Sequence, residues 1–412
     1  MQLEQQGAQA VAAARRLMLA DTAAKNDALL KIADALEARC AYILAENQKD
    51  MTAAADCVPA AMLDRLALSE TRVAAMADGV RAVAALPDPV GRVLSEIERP
   101  NGLRVQKVAV PLGVIAVIFE ARPNVTSDAA ALCLKSGNAV ILRGGKEAIC
   151  SNTAIARVMR EALADTALPP DSVQLVTDTS REGAAALMRL NRYVDVLIPR
   201  GGAGLISATV ENATVPVIET GVGNCHIYVD EQADPEKAVE IVHNAKTARV
   251  SVCNAAESLL VHQRVAESLL PAIVHRLCAS GVTLVGDARA CAVCPEIAPA
   301  TEADWGTEYL DYKMSVKIVD SLQAAIDHIA QYSTGHSESI VTENEATAEQ
   351  FLQAVDSAAV CHNASTRFTD GGEFGFGAEI GISTQKLHAR GPLGLPQLCS
   401  MKYKIYGNGQ IR

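Results

Sequence analysis

One cysteine stands in a setting that suits chemistry. The chain carries 11 cysteines, and most lie among alanine, valine and leucine, where a thiol behaves as a small hydrophobe. Cys253 instead lies in a short polar stretch, between a helical pattern over 235–246 and a strand-like run over 258–262. Lys246 and Arg249 precede it, and nearby positive charge stabilises the thiolate, which is the nucleophile. The residues alone leave open that Cys253 is a buried, inert thiol.

Composition excludes several classes of protein. The 412 residues allow two or three domains, and the net charge of −11 with no concentration of lysine or arginine argues against a nucleic-acid or anionic-membrane surface. The odd cysteine count shows no disulfide framework, which indicates a reducing compartment. Cys291 and Cys294 form a lone C-x-x-C and no H-E-x-x-H occurs, so we predict no metal.

No stretch predicts a leader or a membrane span. Residues 1–20 carry Arg15 and Arg16 inside their apolar part, unlike a signal peptide. The longest apolar run, over 108–119, contains Pro111 and Gly113 and is too short to cross a bilayer. We therefore predict a soluble, cytoplasmic protein.

The first hundred residues predict helices followed by a hairpin. Helical spacing over 3–86 predicts three helices, with breaks near Asn26 and at Pro59. Asn101-Gly102 joins two extended runs, which predicts a hairpin with a type I′ turn that pairs with another subunit. The ending over 402–406 predicts a strand that pairs with this hairpin.

From Gly113 onward, short apolar strands alternate with helices, which indicates parallel sheets covered on both faces. The first series has predicted strands over 114–119, 139–142, 173–176, 194–198 and 215–218, with helices around 126–136, 148–164, 181–190 and 203–211. The second series has predicted strands over 226–229, 258–262, 282–285, 316–319, 338–341 and 358–361. The pattern therefore predicts an α/β protein.

Nucleotide-binding signatures are incomplete. The stretch 144–147 has the wrong spacing for a Walker A loop, and 202–207 fails the G-x-G-x-x-G fingerprint. Yet 200–204 follows a strand and opens a helix, where backbone amides meet pyrophosphates. Arg143 and Lys146 follow another strand, at the sheet edge that binds ligands. Ordinary turn glycines and surface cations remain an open interpretation of each.

Seven segments that could form a catalytic and nucleotide-binding site follow one another along the chain. They are Glu120-Ala121-Arg122-Pro123-Asn124, Arg143-Gly144-Gly145-Lys146, Ile198-Pro199-Arg200-Gly201-Gly202, Glu219-Thr220-Gly221-Val222-Gly223-Asn224, the cysteine segment, Glu308-Tyr309-Leu310 and Phe374-Gly375-Phe376-Gly377-Ala378-Glu379-Ile380-Gly381. Together, in this order, they resemble the aldehyde dehydrogenase superfamily. Within it the closest likeness, over 218–226, 252–255 and 381–392, is to the branch that reduces γ-glutamyl phosphate.

The resemblance implies an aldehyde-dehydrogenase-like α/β fold with two doubly wound domains and a small β element. It implies an NADP(H)-binding domain over 1–90 and 112–221 and a catalytic domain over 222–395. The β element, over 91–111 and 396–412, would bridge subunits of a homo-oligomer.

The resemblance also assigns roles to residues. It implies Cys253 as nucleophile, and Asn124 with the backbone amide of Cys253 as donors to the oxyanion. Glu219 matches a glutamate that activates water in hydrolytic relatives, and we predict that here it positions groups or relays protons. Gly201 and Gly202 fall in the expected nucleotide-binding segment.

Three further residues bear on the cofactor. Arg143 falls where the superfamily commonly has a lysine that binds the adenosine ribose, and Glu308 matches the glutamate that holds the nicotinamide ribose. Lys146 falls where NAD-preferring relatives carry a glutamate. A cation there attracts a 2′-phosphate, so NADPH is the expected cofactor.

The implied reaction is NADPH-dependent reduction of L-glutamyl 5-phosphate to glutamate 5-semialdehyde through a cysteine thioester, in proline biosynthesis. A fork-shaped guanidinium suits the substrate α-carboxylate. Arg122, Arg367 and Arg390 are candidates, and the likeness of 363–368 to the substrate-facing segment favours Arg367, although each could form a structural salt bridge. Because the acyl phosphate is labile, the upstream glutamate 5-kinase is a candidate partner.

Three alternatives remain open from the sequence. An oxidative, water-using aldehyde dehydrogenase has the same fold. A non-enzymatic protein with a degenerate site is opposed by the joint presence of Cys253, Asn124 and Glu308. A cysteine–histidine hydrolase has only His226 and His243 in its favour.

Overall fold

A computed structural model describes residues 2–55, 57–58 and 60–412. The chain forms two compact units. The first comprises Met1–Thr220, Gly375–Gly381 and Leu393–Arg412. The second comprises Gly221–Phe374 and Ile382–Pro392. The stretches 375–381 and 393–395, which the sequence assigned to the catalytic domain, thus pack with the first unit.

Nine α-helices occur among the described residues of the first unit. Their bounds are α1 (Gln2–Leu17), α2 (Thr22–Ala38), α3 (Cys40–Ala54), α4 (Ala60–Leu66), α5 (Glu70–Ala85), α6 (Asn124–Lys135), α7 (Ile149–Leu163), α8 (Arg181–Met188) and α9 (Ala203–Asn212).

The prediction of three N-terminal helices with a break near Asn26 is wrong, because five helices precede the hairpin and Asn26 lies inside α2. The break falls earlier, where the Asp21 side chain caps α2 by accepting a hydrogen bond from the Ala24 amide at 2.8 Å. The predicted break at Pro59 lies outside the described residues.

A four-stranded parallel sheet forms the centre of the first unit. Its strands are β3 (Val114–Phe119), β4 (Ala139–Arg143), β5 (Val173–Leu175) and β6 (Val196–Arg200), in the spatial order β5-β4-β3-β6. The predicted strand over 215–218 is reduced to one bridge between Val217 and Leu197. Because β4 and β6 flank β3 on opposite sides, the sheet has a switch point between β3 and β6, where such sheets bind ligands.

A separate antiparallel sheet contains the predicted hairpin. Its strands are β1 (Val93–Glu98), β2 (Arg104–Pro111) and the C-terminal β16 (Cys399–Tyr406), with β2 in the middle. The predicted pairing of the C-terminal strand with the hairpin is thus confirmed. The type I′ turn is wrong, because within 99–103 only Gly102, at φ 85°, lies in the left-handed region. The Gly102 amide instead donates to the Arg99 carbonyl at 2.8 Å.

The second unit is built on a seven-stranded sheet, whose neighbouring strands all pair in parallel. The spatial order is β10-β9-β11-β8-β7-β12-β13. The strands are β7 (Cys225–Val229), β8 (Ala256–His262), β9 (Thr283–Gly286), β10 (Ala298–Pro299), β11 (Lys313–Val319), β12 (Ser337–Val341) and β13 (Ala359–His362). The helices are α10 (Pro235–Thr247), α11 (Gln263–Cys278), α12 (Ala288–Val293), α13 (Leu322–Tyr332) and α14 (Glu345–Ala354), and two short strands, β14 (Ile382–Ser383) and β15 (Gly391–Pro392), pair separately.

This sheet is covered on both faces, as the apolar strands predict. Leu259 and Val261 of β8 pack into one hydrophobic cluster with residues of α10 and α11. Leu260, between them, belongs to a different cluster that includes Phe351 of α14. Successive strand residues point to opposite faces, so helices bury both sides of the sheet. Among the residues described, no helix has the length and apolarity needed to cross a membrane.

Candidate active site

The candidate site of the second unit lies at the amino edge of its sheet. The strands β7, β8 and β11 are neighbours and run parallel. The segments 221–224, 251–255 and 308–310 precede these three strands. Since the amino ends of parallel strands meet at one edge, segments far apart in the sequence are brought together there.

Cys253 lies in a turn just before β8 and is partly buried. Its carbonyl oxygen accepts a hydrogen bond from the Cys225 thiol at 3.1 Å. The backbone of Gly223 packs directly against Cys253, and a Cβ added there would lie 2.7 Å from the Cys253 Cα and closer still to its carbonyl group. Only glycine therefore permits this approach.

Glu308 is tied to the same glycine. Its Oε1 accepts a hydrogen bond from the Gly223 amide at 2.7 Å. Burial raises the pKa of Glu308, and the hydrogen bond from Gly223 opposes that rise. Leu310, two residues later, adopts a φ of 53°, which is uncommon for a residue with a branched side chain. Cys253, Gly223 and Glu308 thus form one connected group.

A fully buried ion pair lies beside this group. Lys246 Nζ and Glu257 Oε2 are 2.6 Å apart, and neither side chain is exposed. Burial raises the pKa of Glu257 to about 7 and lowers the pKa of Lys246, while each partner opposes the other's shift. From the sequence we expected the Lys246 ammonium to stabilise the Cys253 thiolate. In the structure the Lys246 charge is paired with the Glu257 carboxylate.

Two of the three candidate substrate arginines lie in the second unit and differ sharply. Arg390 Nη1 forms an ion pair with Asp356 at 2.8 Å, and Nη2 donates to the Asp356 carbonyl at 2.6 Å. Arg367 and Arg390 are both partly buried, and the buried Nε of each has no hydrogen-bond partner among the described residues, so the two side chains differ in their ion pairing. Burial lowers the pKa of Arg367; Asp370 opposes this shift, and Arg249 adds to it.

The negative charge of the Cys253 thiolate attracts the Arg367 guanidinium and so opposes the fall in the pKa of Arg367. Arg367 is therefore electrostatically coupled to the candidate nucleophile. Arg390, in contrast, forms a structural salt bridge.

Asn124 lies at the start of α6 in the first unit. Its Nδ2 donates to Asp128 Oδ2 at 2.8 Å, one helical turn later. Burial raises the pKa of Asp128 to about 6, against the lowering effects of hydrogen bonds from Asn124 and Ser127 and of the Arg200 charge. One amide hydrogen of Asn124 is thus committed to Asp128, and the other can serve a substrate.

Arg122 and Glu219, both partly buried, also belong to the first unit. Arg122 follows Ala121, whose φ is 37° and whose amide donates to Glu147 Oε1 at 2.7 Å. Glu219 precedes Thr220, whose hydroxyl donates to the Pro199 carbonyl at 2.7 Å. Both segments therefore adopt anchored backbones near the carboxyl ends of β3 and β6.

The candidate nucleotide residues of the first unit follow the strands β4 and β6. Arg143 Nη2 donates to the carbonyls of Thr179 and Ser180 at 2.6 and 2.9 Å, its buried Nε has no partner in the described part of the chain, and burial lowers its pKa. Lys146 is exposed. These cations suit an anionic nucleotide.

Gly201 and Gly202 are exposed and lead into α9. The Gly202 amide donates to Glu120 Oε2 at 3.0 Å, and this carboxylate also fills the space beside Gly201. Glu120 thus accepts a hydrogen bond that a pyrophosphate could accept, and a phosphate would need to displace it.

The two histidines of the hydrolase alternative have other partners. The His226 ring is fully buried with Nδ1 3.0 Å from the Asn224 carbonyl. His243 Nε2 lies 2.9 Å from Ser280 Oγ, and burial lowers the pKa of His243. Both rings therefore have structural contacts. No group of three or more His, Cys, Asp or Glu side chains that could hold a metal occurs among the described residues.

Sequence reasoning missed three residues of these groups: Gly223, Glu257 and Asp128. Asp128 could have been found from its position four residues after Asn124, on the same helix face. Glu257 could have been noticed because it is the only acidic residue in β8, a strand that is otherwise mostly apolar. Gly223 lies in one of the segments that carry the family resemblance, but its role could not be seen there, because its constraint comes from Cys253, thirty positions away in the chain.

The sequence model of the aldehyde dehydrogenase family matches residues 1–304. The chain belongs to the aldehyde dehydrogenase family, and the predicted fold class is confirmed. It is an oxidoreductase that uses a nicotinamide cofactor.

Two relatives of high identity and one solved structure share a narrower name. The chain is 60% identical over 407 residues to the gamma-glutamyl phosphate reductase of Clostridium perfringens, covering 98% of each protein. It is 58% identical over 413 residues to that of Moorella thermoacetica, covering 100% of this chain and 99% of the relative. A crystal structure of gamma-glutamyl phosphate reductase from Thermotoga maritima matches with a TM-score of 0.98 at 49% identity, covering 100% of this chain and 99% of that one.

Proposed function

We propose that the chain reduces L-glutamyl 5-phosphate to L-glutamate 5-semialdehyde and phosphate with NADPH, as a step of proline biosynthesis. The observation that carries the proposal is the full-length identity of 58–60% to relatives named gamma-glutamyl phosphate reductase. The turn that presents Cys253 at the edge of a parallel sheet supports it.

The proposed chemistry begins with the Cys253 thiolate. It attacks the acyl carbon, and the amide of Asn124 and the backbone amide of Cys253 stabilise the oxyanion. Phosphate leaves with the electron pair of the broken bond, which gives a thioester on Cys253. The nicotinamide, when bound, supplies a hydride to the thioester carbon. Addition of the hydride would leave the thiohemiacetal as its oxyanion on Cys253, and cleavage of its carbon–sulfur bond would release the aldehyde and return the thiolate.

Water must be kept from the thioester, because hydrolysis would waste the activated acyl group. Glu219 is therefore proposed to position groups or relay protons, and not to activate water. A Glu219→Gln variant is expected to retain phosphate-dependent turnover, in contrast to Cys253→Ser.

Nucleotide binding is proposed for Arg143, Lys146, Gly201, Gly202 and Glu308, the residues to which the family resemblance assigns it. The exposed ammonium of Lys146 favours the additional 2′-phosphate of NADPH. Lys146→Glu is expected to lower the affinity for NADPH while leaving that for NADH unchanged or higher. Equal effects on both nucleotides would contradict this role.

Arg367 is proposed to bind the α-carboxylate of the substrate. The support for Arg367 is its charge interaction with Cys253, since the buried Nε of Arg390 lacks a partner among the described residues as well. Arg390 is less suited because its guanidinium already donates to the carboxylate and the carbonyl of Asp356, at 2.8 and 2.6 Å, although Asp356 also pairs with Lys386. Arg122 stays a second candidate, with its segment close to Asn124 in the chain.

The domain roles are proposed with the boundaries of the sequence analysis: NADP(H) binding over 1–90 and 112–221, catalysis over 222–395, and bridging over 91–111 and 396–412. In the β1-β2-β16 sheet the apolar side chains of Ile97, Tyr403 and Ile405 are 54%, 62% and 64% exposed. Such side chains on edge strands favour a homo-oligomer. A cytoplasmic location and contact with the upstream glutamate 5-kinase complete the proposal.

The test follows NADPH absorbance in the reverse direction, with glutamate 5-semialdehyde, NADP and phosphate. NADPH formation that requires phosphate and is lost in Cys253→Ser supports the proposal. Formation that proceeds equally without phosphate would instead establish the oxidative, water-using alternative. A wild-type protein with no turnover under any of these conditions would contradict both.

A further inference from the structure

The buried ion pair closes the segment that carries Cys253. We call residues 247–256 the nucleophile loop. Lys246 lies in the last turn of α10 and Glu257 near the start of β8, so the pair flanks the nucleophile loop on both sides. The Nζ–Oε2 distance is 2.6 Å, and both side chains are fully shielded from solvent. The pair therefore fixes the separation of the two ends of the loop.

The second oxygen of the same carboxylate reaches a different segment. Glu257 Oε1 accepts a hydrogen bond from the Leu310 amide at 3.1 Å. Leu310 has a φ of 53°, a conformation that persists only where its surroundings hold it. Two residues earlier, Glu308 Oε1 accepts from the Gly223 amide at 2.7 Å. Two carboxylates thus anchor the 308–310 segment from both ends.

Stability alone does not account for a pair at this place. Desolvating two charges costs as much as their attraction returns, and well-packed apolar replacements are often neutral or stabilising. A buried pair is best explained where it specifies geometry. Here it joins the nucleophile loop to the segment of Glu308.

We propose that Lys246 and Glu257 are positioning residues, which hold Cys253 and Glu308 in one fixed arrangement and so couple nucleotide binding to the presentation of the thiol. The role of Glu308 as a ribose ligand rests on the proposed function. Neither Lys246 nor Glu257 needs to touch the substrate. Their loss therefore acts on the affinity for NADPH and on the reactivity of Cys253.

Two double variants separate the two connections of Glu257. Lys246→Met with Glu257→Gln removes both charges but retains an amide oxygen that can accept from the Leu310 amide. Lys246→Met with Glu257→Leu removes that acceptor as well. Neither variant leaves an unpaired buried charge, so both avoid the most destabilising outcome.

The measurements are the NADPH dissociation constant by calorimetry and the rate of Cys253 alkylation without nucleotide, followed by peptide mapping. We expect the Leu variant to bind NADPH about tenfold more weakly than the Gln variant, the effect of losing one hydrogen bond to a constrained segment. Both variants are expected to alkylate Cys253 at a rate that differs several-fold from wild type. Equal NADPH affinity in the two variants, or wild-type alkylation in both, would overturn the proposal.

Glu257→Asp provides the test if a double variant does not fold. It keeps the charge but is one methylene shorter, so it cannot reach both the Lys246 ammonium and the Leu310 amide. Weaker NADPH binding at an unchanged melting temperature supports the proposal, and wild-type affinity refutes it. Phosphate-dependent turnover of the wild-type protein tests the proposed function separately, since it involves none of these variants.

Discussion

Replacing Gly223 by alanine tests whether the close approach of two backbone segments sets the position of the nucleophile. Gly223 has no left-handed φ, so alanine fits its backbone conformation. The obstacle is space, because the new Cβ would lie 1.5 Å from the Cys253 carbonyl oxygen and 2.3 Å from its carbonyl carbon. The atoms in the way belong to the backbone, which cannot move aside as a flexible side chain does.

The size of the effect follows from this distance. Non-bonded heavy atoms prefer a separation of about 3.5 Å, so the two segments must move apart by about 2 Å. A displacement of about 1 Å at a reacting group already lowers the rate about a hundredfold. We therefore expect Gly223→Ala to lower kcat at least about a hundredfold. NADPH affinity is expected to fall as well, because the Gly223 amide donates to Glu308.

The assay compares three observations on purified protein: kcat from NADPH absorbance, the rate of Cys253 alkylation, and the melting temperature. Gly306→Ala is the matched control. Gly306 lies two residues before Glu308, and a Cβ there meets nothing within 4 Å. We expect this control to retain wild-type kcat and NADPH affinity.

If folded Gly223→Ala had the wild-type kcat and the wild-type rate of Cys253 alkylation, the expected displacement of Cys253 would be contradicted. That result would mean that the position of Cys253 does not depend on its contact with Gly223. A loss of activity equal in the Gly306→Ala control would refute it too, because the effect would not come from crowding at Cys253.

Three further predictions concern single groups. Asn124→Ala is expected to lower kcat about a hundredfold to a thousandfold as an oxyanion donor, with unchanged Cys253 alkylation. Arg367→Ala is expected to raise KM for the semialdehyde at least about tenfold, whereas Arg390→Ala changes the melting temperature more than KM. Asp128→Asn removes a carboxyl whose pKa burial raises to about 6. The folded state binds the Asp128 proton more tightly than the unfolded chain does. The contribution of Asp128 to the free energy of unfolding therefore falls by up to about 3 kcal/mol as the pH rises from about 4 to about 6. We expect urea unfolding across this pH range to show this decline in the free energy of unfolding in the wild-type protein but not in Asp128→Asn.

The sequence predicted the alternation of strands and helices well because most strands of the two sheets contain a short apolar run, although it did not predict the two-residue strand β10. It could not predict the N-terminal helix boundaries, since Lys25 is buried inside α2 through an ion pair with Asp88 at 2.9 Å. That partner lies 63 residues away. The turn of the hairpin was also misjudged, because Asn-Gly is compatible with turns in which glycine alone takes a positive φ.

The site was only partly predictable for a related reason. Cys253 and Glu308 come together because β8 and β11 are neighbours, although β9 and β10 lie between them in the sequence. Periodicity shows that a strand exists but does not give its place in the sheet. For the same reason, the partners of Glu257, in α10 and in the 308–310 segment, could be recognised only in the folded chain.

The central claim is that Cys253 becomes acylated, and mass spectrometry of the trapped protein tests it most directly. Wild-type protein incubated with L-glutamyl 5-phosphate in the absence of NADPH is quenched in acid and digested. We expect a glutamyl adduct on the peptide that contains Cys253. This adduct should disappear when NADPH is added. An adduct on another residue, or turnover that continues in Cys253→Ala, would contradict it.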